Sequence, residues 1–137
     1  MKKILIASHG NFASGIKSSI NVLFGNSDII TVIDAYMDKR SVKEMIDEFY
    51  LTVKEDDQVI LMSDLYGGSV NQEMFRYLEK KNTFLISGIN LALVLEIAVD
   101  PQIVTKERIQ EVLEEAKKAM VLVEDIELDS SNDEDFF

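Results

Sequence analysis

The chain has 137 residues, enough for one domain with a sizeable core, and its 47% hydrophobic and 28% charged residues with a single proline exclude disordered, collagen-like and low-complexity classes. It has no cysteine, which excludes a disulfide framework, a thiol nucleophile and thiolate metal sites, and makes a cytoplasmic location the expectation. The net charge of −11 argues against a phosphate-neutralising nucleic-acid surface and in favour of docking to a basic protein partner.

Lys3–Ala7 reads as a first β-strand. Its apolar run falls short of the roughly 7–15 residues of a secretory h-region. Further on, no run approaches the ~18 apolar residues of a membrane span, so direct membrane insertion is not expected. Ala13–Phe24 follows as a helix, with Ile16, Ile20, Val22, Leu23 and Phe24 assigned to its inner stripe and Gly25 as a left-handed stop. Ile29–Asp34 is the second strand. Ser41-Val42-Lys43-Glu44 is a capping box opening a helix with Val42, Met45, Ile46, Phe49 and Tyr50 inward. Gln58–Ser63 is the third strand, and Ser69-Val70-Asn71-Gln72 repeats the capping chemistry before Met74, Phe75, Tyr77 and Leu78.

Thr83–Ser87 is the fourth strand. A short helix over Asn90–Ala98 ends before Asp100 and Pro101, because proline restricts the residue preceding it. Thr105 caps a longer helix running to Met120, and Val121–Leu128 reads as a last strand. Residues 124–137 hold seven acids and no base and form the end of that strand and a solvated tail, leaving 18 acids against 14 bases in residues 1–123. The order predicts an α/β fold, an open doubly wound, mainly parallel sheet with helices on both faces.

In such a sheet ligands bind beyond the carboxyl ends of the strands, where strand order reverses. Those ends here carry Ser8-His9-Gly10, Asp34-Ala35-Tyr36, Asp64-Leu65-Tyr66-Gly67-Gly68-Ser69 and Ser87-Gly88-Ile89-Asn90. His9 is the only histidine. A lone histidine is more often an ordinary surface residue, but this one stands at the mouth of the expected crevice. With strands one and three adjacent, Asp64 can accept the His9 Nδ1–H bond and leave Nε2 free as a nucleophile or base, although an aspartate there more often caps a turn. Gly67, Gly68 and Ser69 then open a helix whose first amides favour an oxyanion or phosphoryl group, a weak signal alone that gains weight beside His9 and Asp64.

Two neighbouring patterns fail. Gly10 and Gly15 with Lys17 and Ser18 approach a P-loop, but one residue too many separates the second glycine from the lysine, and a dinucleotide fingerprint lacks its third glycine. Metal binding has no second histidine and no cysteine to draw on.

At these residues the chain resembles the IIA component of the mannose/fructose/sorbose family of the sugar phosphotransferase system (PTS). The stretches that carry the resemblance are Ile6-Ala7-Ser8-His9-Gly10-Asn11-Phe12-Ala13-Ser14-Gly15, Ser63-Asp64-Leu65-Tyr66-Gly67-Gly68-Ser69 and Ser87-Gly88-Ile89-Asn90-Leu91, within residues 1–123. The resemblance implies a phosphocarrier domain in which His9 accepts a phosphoryl group at Nε2 from HPr and passes it to a separate IIB component, which serves membrane IIC and IID components. It further implies that Asp64 orients His9, that Gly67, Gly68 and Ser69 receive the phosphoryl oxygens, that no cofactor is needed, and that the last strand pairs antiparallel across a homodimer. Where family members often follow Gly-Gly-Ser with Pro-Phe-Asn, this chain has Val70-Asn71-Gln72. The phosphocarrier subunit of a dihydroxyacetone kinase shares the first motif, but the intact Gly67-Gly68-Ser69 favours the sugar-transport reading; a flavodoxin-like ligand-binding or interaction module is the alternative of a different class.

Overall fold

A computed structural model describes residues 1–102 and 104–125. Four parallel strands, β1 (Lys2–His9), β2 (Ile30–Ala35), β3 (Gln58–Ser63) and β4 (Thr83–Ser87), form one sheet in the order β2-β1-β3-β4. Strand order reverses between β1 and β3, so the carboxyl ends of those two strands flank the crevice that this topology opens. The register aligns Ala7 with Ser63 and His9 with Ala35, bringing His9, Asp64 and Tyr36 to one edge.

The alternation of strand side chains divides the core into two layers. Ile4, Ile6, Ile60 and Met62 pack against α1 (Phe12–Phe24), α4 (Leu91–Val99) and α5 (Lys106–Lys117). Leu5, Ala7, Val59 and Leu61 face the other way, against α2 (Val42–Tyr50) and α3 (Ser69–Phe75), the latter continued by a 3₁₀ turn over Arg76–Glu79. All eight of these strand side chains are buried, which explains why the strands read as continuous apolar runs.

The helix boundaries follow local chemistry. Ser41 Oγ accepts from the Glu44 amide and Thr105 Oγ1 from the Arg108 amide, as their patterns predict. Asn90 Oδ1 caps α4 through the Leu93 amide, and Gly25 ends α1 at φ +82° with its N–H donating to Asn21 O.

Two expectations change. In α1, Ile20 is buried and Ile16 packs on the core, but Val22, Leu23 and Phe24 are exposed: Val22 lies about 200° round the helix from Ile20, while Leu23 and Phe24, three and four residues on, share its stripe but stand in the last turn. Along α3 and its 3₁₀ continuation Met74 and Tyr77, three residues apart, are buried while Phe75 and Leu78 face solvent. Residues 121–125 belong to no strand, and 126–128 lie outside the described residues, as does most of the acidic tail. The strand expected over Val121–Leu128 is therefore no part of this four-stranded sheet among the described residues; Met120–Val123 are exposed apolar residues instead.

Candidate functional site

His9 closes β1, and its position follows from the two bonds it makes to one carboxylate. Its backbone N–H and its ring Nδ1 both lie 2.9 Å from Asp64 Oδ2. Asp64 Oδ1 accepts from the Leu65 amide at 3.1 Å. Burial of the Asp64 carboxyl works against its ionisation, but the His9 amide and imidazole outweigh this and hold it below the ordinary carboxylate value. An ionised carboxylate only accepts hydrogen bonds, so the proton between the two side chains belongs to Nδ1. In the neutral imidazole that leaves the lone pair on Nε2. The His9 side chain is 41% exposed while Asp64 is 13% exposed, so the orienting group is sheltered and the ring it orients is open to solvent.

Nε2 faces the start of α3. Ser69 Oγ lies 3.4 Å from it, and the Tyr36 hydroxyl is 2.5 Å from the same Oγ. Gly67 has φ +76°, a conformation that costs an L side chain about 1–2 kcal/mol, and so needs glycine. Gly68 has an ordinary φ and is the N-cap, where an added Cβ would meet His9 Cε1 at 3.5 Å. The glycine therefore keeps the space beside the imidazole edge clear. Among the described residues no side chain caps α3, so its leading amides are open to an incoming acceptor.

The capping box expected at Ser69 is not formed. Ser69 lies one residue inside the helix, its hydroxyl is turned to Tyr36 and His9, and the Gln72 side chain donates back to Gly67 O at 2.9 Å. Below this surface the buried Asn71 Oδ1 accepts from Ser63 Oγ at 2.9 Å and from Ser87 Oγ, tying the ends of β3 and β4 beneath the site.

The glycines after β1 do not form a phosphate loop. Gly15 is inside α1, its N–H donating to Asn11 O, and the amides at that helix start are filled by Ser8 Oγ, which accepts from Ala13, and Asp34 Oδ1, which accepts from Ser14. Among the described residues no three histidine, aspartate or glutamate side chains converge as a cation site. A cleft of about 460 Å³ lies at the opposite end of the sheet, lined by residues including Met1, Lys2, Gln58, Asn82 and Asp100, remote from His9. The His9 site is instead an open surface.

The family model of the PTS system fructose IIA component, EIIA-man, matches residues 3–117. The chain belongs to this family. A fructose-specific EIIA component of Bacillus subtilis (strain 168) is 21% identical over 100 residues, 71% of this chain and 68% of that protein. Among solved structures, a Klebsiella pneumoniae protein assigned to the phosphoenolpyruvate-dependent sugar PTS is 28% identical, with TM-score 0.79 over 88% of this chain and 90% of its own. The mannose/sorbose-specific IIA subunit of Enterococcus faecalis has TM-score 0.81 at 20% identity, covering 94% of this chain and all of its own, and shares the fold. The chain is thus a sugar-PTS IIA component of the mannose/fructose family, a phosphotransferase family. No helix of the described residues is long and apolar enough to cross a membrane.

His9, Asp64, Gly67, Gly68 and Ser69, singled out from the sequence, all meet at one place in the fold. Tyr36 was legible only as a strand-end residue: its place against Ser69 depends on a left-handed backbone at φ +67°, which no pattern around Tyr36 announces.

Proposed function

We propose that this chain is a phosphocarrier that takes a phosphoryl group on His9 Nε2 from the phosphohistidine of HPr and passes it to a separate IIB component. The observation that carries this reading is the Asp64 carboxylate 2.9 Å from Nδ1, which keeps the proton there and leaves the nucleophilic lone pair on the exposed Nε2 beside an uncapped helix start. In the accepting step the Nε2 lone pair attacks phosphorus, the donor's P–N bond breaks, and its electron pair returns to the donor imidazole. The Nδ1 proton stays in place, so the phosphorylated ring carries a positive charge, which the Asp64 carboxylate stabilises. Ser69 Oγ–H and the amides following Gly68 are placed to donate to the equatorial phosphoryl oxygens. Donation to IIB is the same exchange reversed, and its atoms balance without water.

An exposed imidazole on an open surface suits a residue that two proteins must reach in turn. The membrane IIC and IID components are reached through IIB. The homodimer belongs to this proposal too, supported by the exposed apolar Met120–Val123 and the β4 edge.

Intact mass after incubation with phosphorylated HPr tests the reading. One added phosphoryl group, acid-labile and absent from His9→Ala, is expected; an unmodified wild-type protein, or a His9→Ala variant modified to the same extent, would refute it.

A further inference from the structure

We propose that Tyr36 is a positioning residue of this site, its hydroxyl fixing the direction in which the single Ser69 proton points. The inference rests on the phosphocarrier reading above and adds a residue to it. Three observations converge. The Tyr36 hydroxyl is 2.5 Å from Ser69 Oγ, the Tyr36 ring centroid is 5.4 Å from that of His9 at an interplanar angle of 44°, and the Tyr36 backbone has φ +67°. A tyrosine at that φ is disfavoured by its own Cβ, and the side chain is not compensated by burial, since the residue is 59% exposed. What the conformation achieves is the placement of a phenol beside Ser69.

The direction of the bond follows from counting donors. Asp64 holds the Nδ1 proton, so Nε2 presents a lone pair to Ser69 Oγ. Ser69 has one proton. If it were given to Tyr36, two lone pairs would oppose each other between Oγ and Nε2. If Tyr36 donates instead, Ser69 accepts from the phenol and directs its own proton at Nε2, and each group has a complementary partner. The Ser69 contact to Nε2 is long, at 3.4 Å, so little is lost when the lone pair becomes an N–P bond. The serine proton then turns to a phosphoryl oxygen while the phenol keeps Oγ in register. Tyr36 thus acts through Ser69.

Phosphoramidate, a small donor that needs no docking surface, separates this role from partner binding. Initial rates of His9 phosphorylation are compared for wild type, Tyr36→Phe, Ser69→Ala and the double variant, with phosphoramidate and with phosphorylated HPr. Tyr36→Phe keeps the ring and loses only the hydroxyl; it is expected to slow the reaction roughly three- to tenfold with both donors, as for one neutral hydrogen bond. The double variant is expected to be no slower than Ser69→Ala alone. In the unphosphorylated protein, Tyr36→Phe is also expected to move the ¹⁵N resonance of Nε2, a change that ring packing does not account for because phenylalanine retains the ring. A Tyr36→Phe variant reacting at the wild-type rate, or effects that multiply in the double variant, would overturn the role of Tyr36 and leave the phosphocarrier reading standing. A wild-type protein that neither donor modifies would overturn both.

Discussion

Two helices start at the same edge of the sheet, α1 after β1 and α3 after β3, and their first turns are treated in opposite ways. At α1 the Ala13 amide is taken by Ser8 Oγ at 2.7 Å and the Ser14 amide by Asp34 Oδ1 at 3.1 Å, so the start of that helix is filled from within the protein. At α3 the N-cap is Gly68, no side chain of the described residues bonds the leading amides, and the hydroxyl that sequence would assign to capping faces the imidazole instead. A filled helix start contributes stability; an open one forgoes about 1 kcal/mol of capping and leaves donors aimed at an incoming oxyanion. The contrast separates the two glycine-bearing turns at this edge: under the proposed function, the turn at α3 is the one whose amides serve the phosphoryl oxygens.

The largest effect that would break this comparison concerns Asp64. Asp64→Ala is expected to slow phosphoryl transfer by about 10- to 100-fold, the kinetic equivalent of losing a hydrogen bond to a charged group, as read from initial rates with phosphorylated HPr. An unchanged rate would mean that the tautomer is set elsewhere. Ser8→Ala acts on the filled helix start: it leaves the Ala13 amide without its acceptor and is expected to cost about 1–2 kcal/mol in urea unfolding while the added phosphoryl mass persists.

Smaller effects come from the glycines. Gly67→Ala, at φ +76°, is expected to destabilise by about 1 kcal/mol, whereas Gly15→Ala, in a helix with open space around it, is expected to stabilise by roughly 0.5–1 kcal/mol and leave transfer unaltered. Thermal unfolding of the two variants should therefore shift in opposite directions. The smallest effect is a pH dependence. Because folding lowers the Asp64 pKa, its contribution is fully present above the ordinary carboxylate value and is lost as pH falls through the folded value, so wild type should lose stability in acid more steeply than Asp64→Asn. Parallel acid profiles would contradict that coupling.

Much of this was legible in the sequence because it rests on local signals. The strands showed as apolar runs since the sheet is covered on both faces, and the pairing of His9 with Asp64 followed once adjacent strands were inferred. What was not legible depends on tertiary choice. Ser41-Val42-Lys43-Glu44 and Ser69-Val70-Asn71-Gln72 present the same capping chemistry, yet Ser41 bonds its own helix and Ser69 bonds its neighbours across the crevice. The chain cannot announce this locally, because the competing partners, Tyr36 and His9, arrive from other strands. Val22, Leu23 and Phe24 differ in kind: Val22 is off the stripe of Ile16 and Ile20, whereas Leu23 and Phe24 keep its spacing but stand in the last turn of α1, where periodicity alone does not report burial.

Under the proposed function, Asp64 holds the Nδ1 proton so that Nε2 takes the phosphoryl group. This is tested most directly by ¹⁵N and ³¹P NMR of histidine-labelled protein after reaction with phosphorylated HPr. The expected result is ³¹P coupling at Nε2 of His9 with Nδ1 still protonated; coupling at Nδ1, or a phosphoryl group on any other residue, would overturn that role of Asp64.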